Sequence, residues 1–485
     1  MKSNYIISVD QSTSATKVFL INSEGSIVKK FSRDHHQYYP EPGYVEHDAD
    51  EIQRNMFEGI NLLAADSSGV SGISISNQRE TTVFWSRTTG KPLCPAVVWQ
   101  DVRGEKYRSL FEPWADRVRE VTGLPLSAYF PALKIAAKFR EDPMLERMAL
   151  EGDLCIGTVD SYLIYCLTGG EVFATDVSNA SRTQLMDLQT LQWSEELCKT
   201  FGIPEGCLPK IHPSDALFGD TKAEGIPKGI PITGVMGDSH AAFFGQGCRQ
   251  IGMVKATFGT GSSVMMNIGS TPLLSSHGLS TSVGFSFRGN TCYVLEGNIT
   301  ASGDTLKWLM DEVELIEDVA EVEQIAAQCR DSGGVYLVPA FSGLGAPYNL
   351  PGAHAIICGI SRGSTKAQII RAALESIAYQ DADVILAMEA DTGTNPNELH
   401  VDGGPSGNKM LMQFLSDILG CPVQCAHISE LSAFGSAYMA GLTLGVFSDE
   451  SLSHGKGARY EPQQSSSWRE EAMAQWRLAV SRCAQ

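Results

Sequence analysis

A strand–turn–strand unit occurs twice in this chain, and the repetition limits the folds open to it. Tyr5-Ile-Ile-Ser-Val-Asp10 is a strand, Gln11-Ser-Thr-Ser-Ala-Thr16 a small polar turn, and Lys17-Val-Phe-Leu-Ile-Asn22 the returning strand. The pattern comes back at residues 253–258, the turn Gly259-Thr-Gly-Ser-Ser263, and residues 264–268. Each half then carries a further strand. Residues 71–76 end at Asn77-Gln78-Arg79-Glu80, and residues 399–401 end at Asp402-Gly403-Gly404-Pro405-Ser406-Gly407-Asn408. Two strongly diverged copies of one architecture account for this, dividing the chain at 1–248 and 249–485. The hairpin tips can cradle phosphate through backbone N–H groups, and Asp10 can hold a magnesium ion. An ordinary Ser/Thr-rich turn has the same composition. The G-x-x-x-x-G-K-[ST] pattern is absent, so these tips are not P-loops.

The remaining segments alternate between strand and helix periods, which specifies an α/β chain. Residues 103–121 predict a charged amphipathic helix, 335–341 a buried strand, 365–390 a long helix, and 409–420 an amphipathic helix. A length of 485 residues fits two large domains or three smaller ones. The net charge of −19 opposes a nucleic-acid or anionic-membrane surface. No apolar run reaches membrane-spanning length, and no leader-type apolar core precedes the first strand, where Met1–Ser3 run straight into it. Twelve cysteines without a pairing pattern predict reduced, mostly buried thiols in a cytoplasmic protein. His35 and His36 face opposite ways in a strand and are expected to be solvated rather than metal-bound.

One acidic residue stands apart. Residues 232–236 are a short apolar strand, Gly237 breaks it, Asp238 sits at the turn, and residues 241–244 begin a helix. A carboxylate there can meet a substrate, and it can equally serve as a helix N-cap.

Several motifs together resemble one family. They are Asp10-Gln-Ser-Thr, Asn77-Gln-Arg-Glu-Thr-Thr82, Val97-Val-Trp-Gln-Asp101, Thr175-Asp-Val-Ser-Asn-Ala-Ser-Arg182, Gly237-Asp238, Phe258-Gly-Thr-Gly261, Pro339-Ala-Phe-Ser-Gly-Leu-Gly-Ala-Pro347 and Asp402-Gly-Gly404. With Gly359-Ile360 and Ala372-Ala-Leu-Glu375, they are similar to the FGGY carbohydrate kinases, most of all the glycerol-specific branch. The resemblance implies two actin-like (ribonuclease H-like) domains with a catalytic cleft between them. It implies transfer of the ATP γ-phosphoryl group to a primary hydroxyl, with polyol on the N-terminal domain and nucleotide mainly on the C-terminal one.

On this likeness Asp238 is the general base, which suits a reaction in which an alcohol proton must leave. Asp10 would hold Mg2+ through water. Thr13 and Lys17 would contact the transferring phosphoryl group, with Ser14 beside them, and Thr260 the phosphates. Gly259, Gly303, Gly403 and Gly404 would line the nucleotide, with Asn408 near its base or ribose. Arg79 and Glu80 would bond substrate hydroxyls, Trp99 would offer an apolar face or simple core packing, and Tyr129 a hydroxyl. Partners would be ATP and a small polyol or sugar, within a homodimer or homotetramer, without nucleic acid or membrane.

The departures from the family pattern are specific. Ser12 replaces a glycine, Lys17 an arginine with its planar fork, and Ala137 a tryptophan shortly after Lys134. Ser239 replaces a glutamine after the base, and Ser263 an aromatic residue after the Gly-Thr-Gly turn. Both shorten a substrate-site side chain, so the pocket is expected to be wider and more polar than one built for glycerol. That brings in tetritols, pentitols and xylulose. A catalytically silent nucleotide-binding scaffold is the alternative of another class, and the Arg79-Glu80 clamp argues against a plain nucleotide hydrolase.

Overall fold

The computed structural model describes residues 4–65, 69–428, 430–449 and 456–483, so Met1–Ser3 lie outside the described residues. Its first sheet is built on the hairpin of β1 (Tyr5–Gln11) and β2 (Ala15–Asn22). Ile6, Ile7, Val9, Val18, Phe19, Leu20 and Ile21 are all buried. That near-continuous apolar run means both faces of the sheet are covered. β3 (Ile27–Asp34) flanks β2, and β4 (Val70–Asn77) and β5 (Ile232–Gly237) complete the order β5-β4-β1-β2-β3.

The second sheet has seven strands: β6 (Val254–Phe258), β7 (Ser262–Gly269), β8 (Ser280–Phe287), β9 (Asn290–Ile299), β10 (Leu399–Gly403), β11 (Val423–Ala426) and β12 (Lys456–Tyr460). Their order is β8-β9-β7-β6-β10-β11-β12. The inner five repeat the first sheet. β1 pairs antiparallel with β2 and parallel with β4, as β6 does with β7 and β10. β5 runs parallel to β4 and β3 antiparallel to β2, as β11 and β9 do to β10 and β7. The duplicated hairpins expected from the sequence are therefore present, each at the centre of its sheet.

Helices cover the sheets. α1 (Ala49–Ala64), capped by Asp48, packs on β1, β2 and β3. α2 (Pro131–Glu141) carries Lys134. α3 (Asp238–Gly245) follows β5 directly, and α4 (Gly303–Asp311) follows β9. α5 (Lys366–Thr392) starts from a capping box between Thr365 and Gln368 and runs through the second core. α6 (Lys409–Leu419) packs against it. α7 (Leu431–Thr443) comes from the last part of the chain yet packs on β1, β4 and β5 and against α3.

Three local expectations change. Residues 103–121 form Glu105–Arg108, a 3-10 turn Glu112–Trp114 and Ala115–Thr122 in place of one helix. Pro113 lacks the N–H that a continuous helix needs at that point. The strand at 335–341 shortens to Tyr336–Val338, stopped by Pro339. His35 is buried and donates from Nε2 to the Thr13 carbonyl at 2.9 Å, so only His36 of the pair is solvated. Among the described residues no helix is long and apolar enough to cross a membrane.

Candidate active site

Three parallel strands bring the first half of the site together. β1, β4 and β5 end level with one another, Gln11 and Gly237 both lying opposite Asn77. Ligands of open α/β sheets bind beyond such carboxyl ends. Asp10 is the next-to-last residue of β1, and Gln78-Arg79-Glu80 and Asp238 follow β4 and β5 directly past this edge. Asp238 is the first residue of α3, with Gly237 as N-cap, so the capping alternative does not hold. Its side chain is 34% exposed. Desolvation by the surrounding protein pushes its carboxyl up, and Arg79 draws it back down. Asp10 is more deeply buried and accepts a bond from Ser76 Oγ at 2.6 Å. Burial and the charge of Asp238 push its carboxyl up to about 6, against Lys17 beside it. The two carboxylates thus feel one another across the edge of the sheet.

Arg79 reaches back from this edge to the second sheet. Its guanidinium is buried and meets Glu296 of β9 at 3.0 and 2.8 Å, a bidentate pair, while its Nε lies 3.6 Å from Asp238 Oδ1. Arg182 adds contacts of 2.8 Å to Glu296 and 2.6 Å to Glu80. Burial works against the charge of Glu296, but Arg182 and Arg79 hold it well below the usual carboxylate range. Glu80 sits at φ +60°, a strained backbone for a side chain of its size. The Lys134 ammonium donates to the Tyr129 carbonyl at 2.7 Å and lies 3.4 Å from that of Glu80, and burial pushes it down to about 7. Tyr129 meets Trp99 edge-on, their ring centres 5.8 Å apart. Trp99 is half-buried and donates from Nε1 to Thr13 Oγ1 at 2.9 Å, which ties the aromatic wall to the first hairpin.

The opposite wall comes from the second sheet. Ser263 donates to Glu296 at 3.2 Å and lies beside Asn298 across the β7–β9 ladder. The Ser239 carbonyl faces the buried Lys255 ammonium at 3.5 Å. The room left by a shorter side chain at 263 therefore borders a charged network.

A separate cavity of about 630 Å³ opens beside the second hairpin. Gly259, Thr260, Gly303, Gly404 and Asn408 line it, together with Leu306 and Glu323. A volume of this size accommodates a small-molecule ligand. A Cβ on Gly303 would strike the Gly259 carbonyl, so glycine keeps the helix against the turn. Gly403 does not line the cavity; at φ +92° its backbone lies against Phe258, leaving no space for a Cβ. Asn408 caps α6 through the Leu411 N–H. Thr13 and Ser14 occupy the tip of the first hairpin, and Lys17 pairs with Glu430 at 3.0 Å.

Arg182, Glu296, Lys134, Lys255 and Glu430 are the members that sequence reasoning did not assign. Arg182 closes the motif at residues 175–182, and Glu296 is a lone charge in an apolar strand, which is a usable signal. Among the described residues no three His, Cys, Asp or Glu side chains could jointly hold a metal ion. A magnesium ion that takes most of its oxygens from phosphate and water needs one or two carboxylates. Asp10 fits that demand, since its burial leaves a carboxylate short of positive charge.

Two repeated sheets, with acidic residues at one strand edge and a cavity of about 630 Å³ beside the other hairpin, define a class. The chain belongs to the FGGY family of carbohydrate kinases: the family's N-terminal domain matches residues 5–245 and its C-terminal domain residues 254–444. Within it, the chain is similar to glycerol kinase 1 of Thermotoga maritima, 44% identical over 98% of this chain and 99% of that one. Glycerol kinase of Pseudothermotoga lettingae is 42% identical over 99% of both. Plasmodium falciparum glycerol kinase, solved with ADP, superposes with a TM-score of 0.96 at 36% identity, covering 100% of this chain and 99% of that one. A xylulose kinase from Lactobacillus acidophilus shares the fold, with a TM-score of 0.88 at 20% identity over 99% and 97% of the two chains.

Proposed function

We propose that this protein transfers the γ-phosphoryl group of ATP to a primary hydroxyl of a small polyol, with glycerol first among candidates. The observation that carries the reading is the shared edge of β1, β4 and β5, where Asp10, the Arg79-Glu80 pair and Asp238 converge. The polyol hydroxyl loses its proton to Asp238 as its oxygen bonds to phosphorus, and the bond from phosphorus to the departing ADP oxygen breaks. Arg79 carries five N–H donors, and Glu296 orients the fork so that Nε stays beside Asp238. Glu80 accepts from a second hydroxyl, its other oxygen being fixed by Arg182. Trp99 and Tyr129 cover the carbon chain. When bound, Mg2+ near Asp10 neutralises phosphate charge. The 630 Å³ cavity takes the adenosine end, and the hairpin tips at Thr13-Ser14 and Gly259-Thr260 face the phosphates.

The test is ADP release at fixed ATP across glycerol, erythritol, xylitol and xylulose. Polyol-dependent release is expected, and ATP turnover indifferent to every polyol would sink the reading. A second reading, a longer polyol or ketose, is favoured by the polar wall of Ser239, Ser263 and Asn298, and the same panel separates the two. The unpaired cysteines, nine of twelve buried, support a reducing, cytoplasmic setting. Light scattering after size-exclusion chromatography distinguishes a monomer from a homodimer or homotetramer.

A further inference from the structure

Glu430 lies one residue before α7, hundreds of residues from the first hairpin, yet its carboxylate meets two of that sheet's lysines. Oε2 is 3.0 Å from Lys17 and Oε1 is 2.6 Å from Lys30. The lysines share a face: Lys17 of β2 lies opposite Ser32 of β3, two residues from Lys30. On the other side Lys17 lies opposite Asp10. The result is a row across the sheet, Asp10, Lys17, Lys30, with Glu430 over the two cations. The contact is local enough for Glu430 to add its charge to that felt by Asp10, alongside Asp238. Only 16% of the Glu430 side chain is exposed, against 28% for Lys17 and 45% for Lys30. Lys17, the cation of the first hairpin, is thus already paired with Glu430 and lies opposite the Asp10 carboxylate.

We propose that Glu430 is an internal counter-ion that the triphosphate displaces from Lys17, with Lys30 retaining Glu430 after the exchange. This rests on the phosphate-binding role given to the first hairpin under the proposed function. Two consequences follow from charge alone. A weak anion gains little by competing with a pre-formed carboxylate pair, so Lys17 discriminates in favour of a highly charged ligand. The exchange also couples nucleotide arrival to α7, which packs against α3 and so against the helix bearing Asp238.

The experiment compares binding of the magnesium complex of a non-hydrolysable ATP analogue with binding of adenosine by calorimetry. Glu430→Gln removes the competing charge, and the analogue should bind about 2- to 5-fold tighter, the range of a part-exposed ion pair, with adenosine unchanged. Lys30→Met leaves Glu430 to Lys17 alone, and the analogue should bind about 2- to 5-fold more weakly. In a Lys17→Ala background, Glu430→Gln should change nothing, which completes a double-mutant cycle. The proposal is overturned if Glu430→Gln weakens analogue binding or leaves it unaltered, or if the two single variants shift it in the same direction. If Glu430→Gln fails to fold, Lys30→Met still decides the sign, both alone and in the Lys17→Ala background, where it should change nothing. Absence of analogue and adenosine binding in the parent would instead remove the functional reading beneath the proposal.

Discussion

Asp238 and Asp10 face the same strand edge with different surroundings, and the roles proposed for them follow that difference. Asp238 is partly open and has Arg79 beside it; Asp10 is enclosed and shares its hairpin with Lys17. Asp238→Asn keeps the shape and removes the proton acceptor, so kcat should fall about 10²–10⁴-fold with a much smaller change in KM. A folded variant with near-parental kcat would discard the base assignment. Asp10 is tested through stability. Its carboxyl is raised to about 6 from an ordinary 3.8, so the folded chain holds a proton that the unfolded chain has released between those values. Stability is therefore lost as pH rises through that window, and the full cost, on the order of 3 kcal/mol, is present by pH 7. Asp10→Asn should be more stable than the parent at pH 7 and nearly equal to it at pH 4, as read by denaturant titration without nucleotide. An equal difference at both pH values would show that Asp10 is not the group responsible. At this scale the sequence was legible where polar residues stand at or just past the end of an apolar strand, as at Asp10, Arg79, Glu80 and Asp238. Arg182, Glu296 and Glu430 escaped because each acts through a partner 100 or more residues away, a distance no local pattern encodes.

The hairpins are the elements that local pattern specified best. Apolar runs, a polar tip and a following strand sufficed to place β1, β2, β6 and β7 and to pair them correctly. Their phosphate role rests on resemblance, since a Ser/Thr-rich turn has the same composition. What local pattern did not contain is the crossing of α3 and α7, elements from the middle and from the last part of the chain. Gly245 and Gly435 meet there, and a Cβ on Gly435 would overlap the Ala241 carbonyl. Both helices are also apolar on nearly every side, so no stripe declares which face docks where. Gly435→Ala should force the helices apart at a cost of about 1–3 kcal/mol, the usual price of overpacking. Because α3 begins at Asp238, kcat should fall more than the stability loss alone requires at a temperature where the variant is folded. Unchanged kcat and an unchanged melting temperature together would mean that the crossing relaxes without moving the base.

The whole molecule joins its halves through charge as well as through apolar packing. Arg79 and Arg182 of the first half grip Glu296 of the second, and Lys17 and Lys30 grip Glu430. We place the division between the halves at 248/249, just past α3, although α7 returns to the first sheet and laces across it. The Glu296 contacts are buried and multiply bonded, whereas those of Glu430 are partly open. Buried, paired charges resist separation, because parting them strands a charge in low dielectric. If the halves close on their ligands, the Glu296 cluster is expected to act as the pivot, with the hairpin tips and the Glu430 pairs beside them as the parts that move. Phosphoryl transfer must exclude water, or ATP is lost to hydrolysis, so closure should need both ligands. Small-angle scattering should show a smaller radius of gyration with polyol and a non-hydrolysable ATP analogue together than with either alone. Glu296→Gln weakens the pivot, and it should blunt that compaction while leaving adenosine affinity near the parental value. Identical profiles in all four ligand states, with binding confirmed by calorimetry, would mean that the cleft is already closed and that water is kept out by the site walls.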